Sequence, residues 1–91
     1  MAILIKASGE PNRMSPRNGK KFELEEAQSL VGGYIQIISI GNDEVMVFDE
    51  EGKIKEKKEN RIATWMARDK KSIFPGDYIV GDVIICKDNE I

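Results

Sequence analysis

The sequence predicts an α+β fold for a single small domain, and three observations lead there. Two short segments carry apolar residues at helical spacing. Several others are runs of β-branched and aromatic residues bounded by glycine, asparagine and aspartate. A chain of 91 residues holds one hydrophobic core, because at that length folding buries roughly two thirds of the unfolded surface and leaves nothing for a second.

The elements are arranged around residues 24–40, where two periods of hydrophobicity meet without a linker. Leu24, Ala27, Leu30 and Val31 fall at helical spacing, whereas residues 34–40 (Tyr-Ile-Gln-Ile-Ile-Ser-Ile) read as a strand. Gly32 stands where a helix ends on a left-handed residue, a conformation that glycine adopts without a Cβ clash, and Gly33 lets the chain turn at once. Glu23, Glu25 and Glu26 lie in or beside the first turn of this helix, where negative charge complements the positive end of its dipole.

Ahead of the corner, residues 2–6 form a first strand, apolar on both faces and therefore central. Residues 7–21 lose all periodicity and are punctuated by Gly9, Pro11, Pro16 and Gly19, so a long mobile loop is expected. Beyond the corner, Gly41-Asn42-Asp43 makes a tight turn and Glu44 to Phe48 returns antiparallel. A second turn follows at residues 49–52, with Gly52 placed to supply a positive φ. Lys53-Ile54-Lys55 then reads as a short edge strand, shielded by its lysines. Asn60 is a preferred N-cap, and Ile62, Trp65 and Met66 follow at i, i+3 and i+4, so a second helix covers residues 60–68. Trp65 is its expected anchor, since a tryptophan buries on the order of 200 Å².

Residues 77–86 carry the longest strand signal, with Gly81 marking a bulge or a close backbone approach. Residues 87–91 read as a frayed polar tail. The expected order is strand, helix, strand, strand, edge strand, helix, strand: a mixed, largely antiparallel sheet with both helices on one face.

The chemistry implied is sparse. There is no histidine, so histidine-based triads and zinc sites are excluded. Cys86 is the lone cysteine and lies in an apolar strand context, where a thiol is an inert small hydrophobe. An intrachain disulfide is therefore ruled out, which favours a reducing compartment. The apolar run at residues 1–5 is too short for a signal-peptide core, and no segment approaches the ~20 apolar residues of a membrane span. A cytoplasmic protein with no membrane contact is expected.

Gly32-Gly33 ends a helix and opens a strand, the reverse of a phosphate-binding loop. Asp43, Glu44, Asp49, Glu50 and Glu51 sit on two turns without the alternating spacing of a calcium loop, and read as solvated turn residues. No cofactor, metal or catalytic residue is assigned.

The net charge of −2 conceals a segregation. Residues 6–21 hold five basic and one acidic side chain, residues 53–71 eight and three, and the remainder one and twelve. Lys53, Lys55, Lys57, Lys58, Arg61, Lys70 and Lys71, with Arg68 among them, form the denser basic segment, a candidate surface for a nucleic acid or a partner. A solvated face is the bland reading of the same residues, because Glu56, Glu59 and Asp69 interrupt them and no aromatic platform interleaves them.

Four blocks taken together, Leu30-Val31-Gly32-Gly33-Tyr34-Ile35, Asp49-Glu50-Glu51-Gly52-Lys53, Asn60-Arg61-Ile62-Ala63 and Ile79-Val80-Gly81-Asp82-Val83-Ile84-Ile85-Cys86, resemble the family catalogued as domain of unknown function 3846. The resemblance implies a cytoplasmic protein of bacterial phages or mobile elements, and implies no activity. The functional expectation is accordingly a non-enzymatic binding or accessory domain that contacts a protein partner, a second copy or a small ligand. The alternative is weak nucleic-acid binding through residues 53–71.

Overall fold

The computed structural model describes residues 2–91; Met1, part of the N-terminal apolar run, lies outside them. The chain forms β1 (Ala2–Ile5), β2 (Pro11–Met14), α1 (Leu24–Val31), β3 (Ile35–Gly41), β4 (Glu44–Asp49), α2 (Arg61–Asp69) and β5 (Val83–Lys87), closed by a 3₁₀ turn at Asp88–Glu90. The class is α+β. All five strands join one sheet in the order β2-β1-β5-β4-β3, with every neighbouring pair antiparallel, so the expected mixed sheet is in fact wholly antiparallel.

The last strand takes the middle. Its register aligns Leu4, Ile84 and Val47 in one row across β1, β5 and β4, and sets Ile5 against Val83 and Met46 against Ile85. Every residue of Val45-Met46-Val47-Phe48 and Val83-Ile84-Ile85-Cys86 is apolar, so both faces of these central strands need cover.

The helices supply it from opposite sides, which corrects the expected one-faced arrangement. Phe22, Ala27 and Val31 pack with α1 on Ala2, Val45, Val47, Ile84 and Cys86. Ala63 and Ala67 of α2 pack on Ile5, Met46, Val83 and Ile85. The sheet is thus the middle of three layers.

The helix-to-strand corner is as expected. Gly32 caps α1 in the left-handed region at φ 81°, ψ 27°, and the N–H groups of Gly32 and Gly33 both donate to the Gln28 carbonyl. Asn60 caps α2, its side-chain oxygen accepting from the Ala63 N–H at 3.0 Å. Its Nδ2 donates to the carbonyls of Ile5 and Gly81, each at 2.9 Å, so one fully buried asparagine ties α2 to the end of β1 and to the approach to β5.

Other expectations need correction. The stretch at residues 7–21 contains β2, which pairs with β1 from Ala2↔Met14 to Ile5↔Pro11. Residues 53–55 form no strand. Residues 50–56 coil in successive turns, Ile54 is 82% exposed, and the nearby pairing is a single bridge between Glu59 and Val80. Gly52 does not have positive φ; a Cβ there would lie 2.7 Å from Val80 Cγ2, so close approach explains this glycine. Gly81 does have positive φ, 77°, in an irregular approach to a strand that begins only at Val83.

Trp65 is 68% exposed and anchors nothing, because α2 turns its small residues to the sheet. The tail docks rather than frays. The Phe22 N–H donates to the Glu90 carbonyl at 2.6 Å, the buried Glu90 side chain accepts from the Lys87 N–H at 2.9 Å, and Ile91 packs on the α1-side core.

Candidate functional site

The sheet is wider than α2. Ala63 and Ala67 bring the helix close over β1, β5 and β4, while the outer part of the same face, at Gln36, Ile38 and Phe48, is left to residues 71–80. That segment arches over the sheet without filling the space beneath it. The result is a groove of about 440 Å³, within the size range of small-ligand sites.

Its floor is Ile38 and Phe48, with Ile73, Ile79 and Val80 at the sides; Phe74 and Tyr78 stand at the mouth, 82% and 41% exposed. Gln36, Asp49, Glu50, Lys53, Lys71, Ser72 and Asp77 complete the lining.

The polar side of the mouth is held in place. Lys53 pairs with Asp77 and lies 4.5 Å from the centre of the Tyr78 ring, where an ammonium is attracted to the aromatic face. The Asp77 carboxylate also accepts from the Tyr78 N–H at 2.8 Å, and the Asp77 carbonyl accepts from Nε and a terminal nitrogen of Arg68 at 2.9 and 2.7 Å. The bond from Lys53 and that from the Tyr78 N–H hold the Asp77 carboxyl below the usual carboxylate range, so it stays charged near neutral pH. Across the mouth Lys71, at φ 58°, is exposed. The groove therefore offers an apolar floor, two exposed aromatic rings, two cations and three carboxylates, of which Asp77 and Asp49 are already paired with lysines.

A second polar cluster lies at the end of β4, and it is structural. Asp49 is 3% exposed and accepts from Lys55 Nζ at 2.9 Å, from Lys57 Nζ at 2.7 Å and from the Glu51 N–H at 2.9 Å. Burial alone raises this carboxyl, but the bonds from Lys57, Lys55 and the Glu51 N–H outweigh it and bring it down to about 2. Lys57 Nζ also donates to the Val31 carbonyl at 2.8 Å and Lys55 Nζ to the Gly32 carbonyl at 3.2 Å. Helix α1 has no basic residue in its last turn, and these two lysines supply positive charge there from elsewhere in the chain.

The expected basic surface is thus divided. Lys53 and Lys71 reach the groove, whereas Lys55 and Lys57 are bound to Asp49 and the end of α1. Lys58 and Arg61 are exposed at the N-terminal end of α2, while Arg68 and Lys70 lie at its other end, about 13 Å away for a helix of nine residues. The earlier basic segment is divided too: the Arg17 N–H donates to the Glu26 carboxylate of α1, whereas Arg13, opposite Ile3 in the β1–β2 ladder, lies on the α2 face of the sheet.

The sequence does not single out Phe74, Asp77 or Tyr78 as site residues, and Asp49, expected as a solvated turn residue, is instead buried at the end of β4 and paired with two lysines. An aromatic residue in the turn-forming Phe74-Pro75-Gly76 was the available signal for the first; nothing local distinguishes Asp49 from its exposed neighbours Glu50 and Glu51. Cys86 is 1% exposed, and burial, with the nearby Glu90 carboxylate, pushes its thiol up to about 11, a protonated and unreactive state. Among the described residues, no three acidic or thiol side chains converge as a metal site would require, and no helix is long and apolar enough to cross a membrane.

No curated protein and no solved structure matches this chain. One family model does, over residues 1–91, the whole length, and the chain accordingly belongs to the family described as domain of unknown function (DUF3846).

Proposed function

We propose that this protein is a non-enzymatic binding domain and that the groove between the outer sheet and residues 71–80 is its contact site. One observation carries the reading: Phe74 and Tyr78 stand exposed at the mouth of a cleft with an apolar floor, although the chain has only six aromatic residues in all. An apolar or aromatic group fits the floor, and polar ends on it would meet Lys71 or Glu50, both exposed in the lining. The phage or mobile-element setting and the cytoplasmic location that the sequence resemblance implies belong to the same proposal of a small accessory protein.

Recovery of the protein with its host-cell contents under native conditions, followed by mass spectrometry, tests the reading. A bound species is expected with the parent, and it should be lost from a folded Phe74→Ala/Tyr78→Ala variant. A species retained equally by that variant would place binding elsewhere. Turnover in an activity screen that disappears on replacing carboxylates would replace the binding reading with an enzymatic one.

Weak nucleic-acid binding is the second reading, favoured by the exposure of Lys58, Arg61, Lys70 and Lys71. It draws on fewer cations than the sequence offers, because Lys53, Lys55 and Lys57 are already paired with carboxylates. Affinity should fall steeply with salt, since each neutralised phosphate releases counterions; failure to retard DNA or RNA at about 50 mM salt removes this reading.

A further inference from the structure

The two edges of the sheet are built differently. At one edge, β2 is four residues long, begins with Pro11 and carries Arg13, features that discourage pairing with another chain. At the other, β3 runs seven residues, Ile-Gln-Ile-Ile-Ser-Ile-Gly, with neither a charge nor a proline. Tyr34 just before it is 66% exposed and Ile37 within it 45%. A long, uncharged, apolar edge is a template for strand addition, and soluble proteins ordinarily guard against it.

The direction of the backbone groups follows from the register. The Glu50 N–H donates to the Tyr34 carbonyl at 2.8 Å while Ile35 lies opposite Asp49, so Tyr34 and Glu50 form a hydrogen-bonded pair. By the alternation of antiparallel ladders, Gln36 and Ile38 also face β4, and Ile35, Ile37 and Ser39 turn their N–H and C=O groups outward. The Ser39 carbonyl accepts from the Ser72 hydroxyl at 2.6 Å, which confirms its outward direction and covers that end of the strand. Ile35 and Ile37 present the open stretch.

We infer that β3 pairs antiparallel with β3 of a second copy about a two-fold axis at Gln36. In this register Ile35 lies opposite the partner's Ile37, both on the α1 side, where β-branched cross-strand pairs are favourable. Gln36 lies opposite the partner's Gln36, and Tyr34 opposite the partner's Ile38. The strand suits its own copy because it is uncharged, so the two-fold brings no like charges together. It also closes: each β3 edge is consumed, and the β2 edges that remain are blocked by proline and arginine, so association stops at two. The pairing stands on the sheet edge alone and does not depend on the groove.

Analytical ultracentrifugation of the full chain, at concentrations up to about 1 mM so that even a millimolar association is populated, reads the result. A dimer is expected. Ile37→Pro removes an outward N–H without touching the β3–β4 ladder, and the two-fold doubles the loss; two hydrogen bonds at about fivefold each weaken the dimer about 25-fold. Ile37→Lys reaches the same end without a backbone change, by setting a charge on the edge, and keeps the test intact should the proline variant fail to fold. Ile37→Val and Trp65→Ser should leave the dimer unchanged. A parent that remains monomeric overturns the inference, as does a dimer that persists in folded Ile37→Lys, or growth beyond two copies.

Discussion

Asp49 concentrates more of this fold than any other side chain. It joins the end of β4 to the turns of residues 50–57 and, through Lys55 and Lys57, to the C-terminus of α1. The glycine pair fits around this knot, since a Cβ on Gly33 would lie 2.6 Å from Asp49 Oδ1 and one on Gly32 would lie 2.9 Å from Lys57 Nζ.

Its titration gives a prediction with a definite sign. The folded carboxyl sits at about 2 against an unfolded 3.8, so the folded state holds the proton less tightly. The resulting stabilisation is fully present above about pH 4 and lost as pH falls toward 2. The shift corresponds to about 2 kcal/mol at most, and to nearer 1 once solvent screening at the partly exposed lysines is allowed for. Asp49→Asn should thus be less stable than the parent at pH 7, with the gap closing near pH 2. Urea midpoints of the two proteins across that range check it, and a pH-independent gap would show that the charge plays no part.

At the scale of elements, α2 shows what decides a helix's orientation. Its apolar residues at i, i+3 and i+4 pointed to Trp65 as the buried anchor, yet the buried residues are Ala63, Thr64 and Ala67. Small residues allow the helix to settle close on the sheet, and Asn60 and Thr64 stitch its first turn to the approach to β5; the Thr64 hydroxyl donates to the Ile79 carbonyl at 3.2 Å and accepts from the Ile79 N–H at 2.9 Å. Trp65→Ala should therefore change stability by no more than about 0.5 kcal/mol. Asn60→Ala removes the cap and both Nδ2 bonds and should cost about 3 kcal/mol. Urea unfolding followed by far-UV circular dichroism compares them, and a larger loss at Trp65 than at Asn60 would reverse the assignment.

What was legible in the sequence was local. The Gly32 cap, the turn at Asn42-Asp43 and the Asn60 cap follow from backbone sterics and short-range hydrogen bonds, and the structure shows all three. Pro11-Asn12-Arg13-Met14 has almost no strand propensity and becomes β2 only because β1 offers an edge. Lys53-Ile54-Lys55 reads as a guarded edge strand because the sequence does not show that its lysines serve partners in other elements, Asp77 before β5, Asp49 at the end of β4 and the end of α1. The groove was illegible for the same reason. It is assembled from β3, β4 and residues 71–80, and only Lys53 and Lys71 of the expected surface reach it.

Over the whole molecule, the sheet order makes the chain depend on its last residues. β5 lies between β1 and β4, so the sheet stays incomplete until residues 83–87 are in place. Without them only the β1–β2 and β3–β4 hairpins remain, with no strand between them, and isolated two-stranded hairpins are at best marginal in water. Both helices would lose their seat as well, since Ile84 and Cys86 face α1 while Val83 and Ile85 face α2. A fragment of residues 1–81 should consequently be unfolded instead of forming a smaller domain, with collapsed amide dispersion in its proton–nitrogen NMR spectrum and no cooperative thermal transition. Adding a peptide of residues 82–91 should restore dispersed signals, because it carries β5, the Asp82 side chain that accepts from the Ala7 N–H at 2.9 Å, and the Glu90 carbonyl that receives the Phe22 N–H. A dispersed spectrum from the fragment alone would mean that the two hairpins and their helices form a stable core without the closing strand, and that the central position of β5 is an addition to the fold rather than its condition.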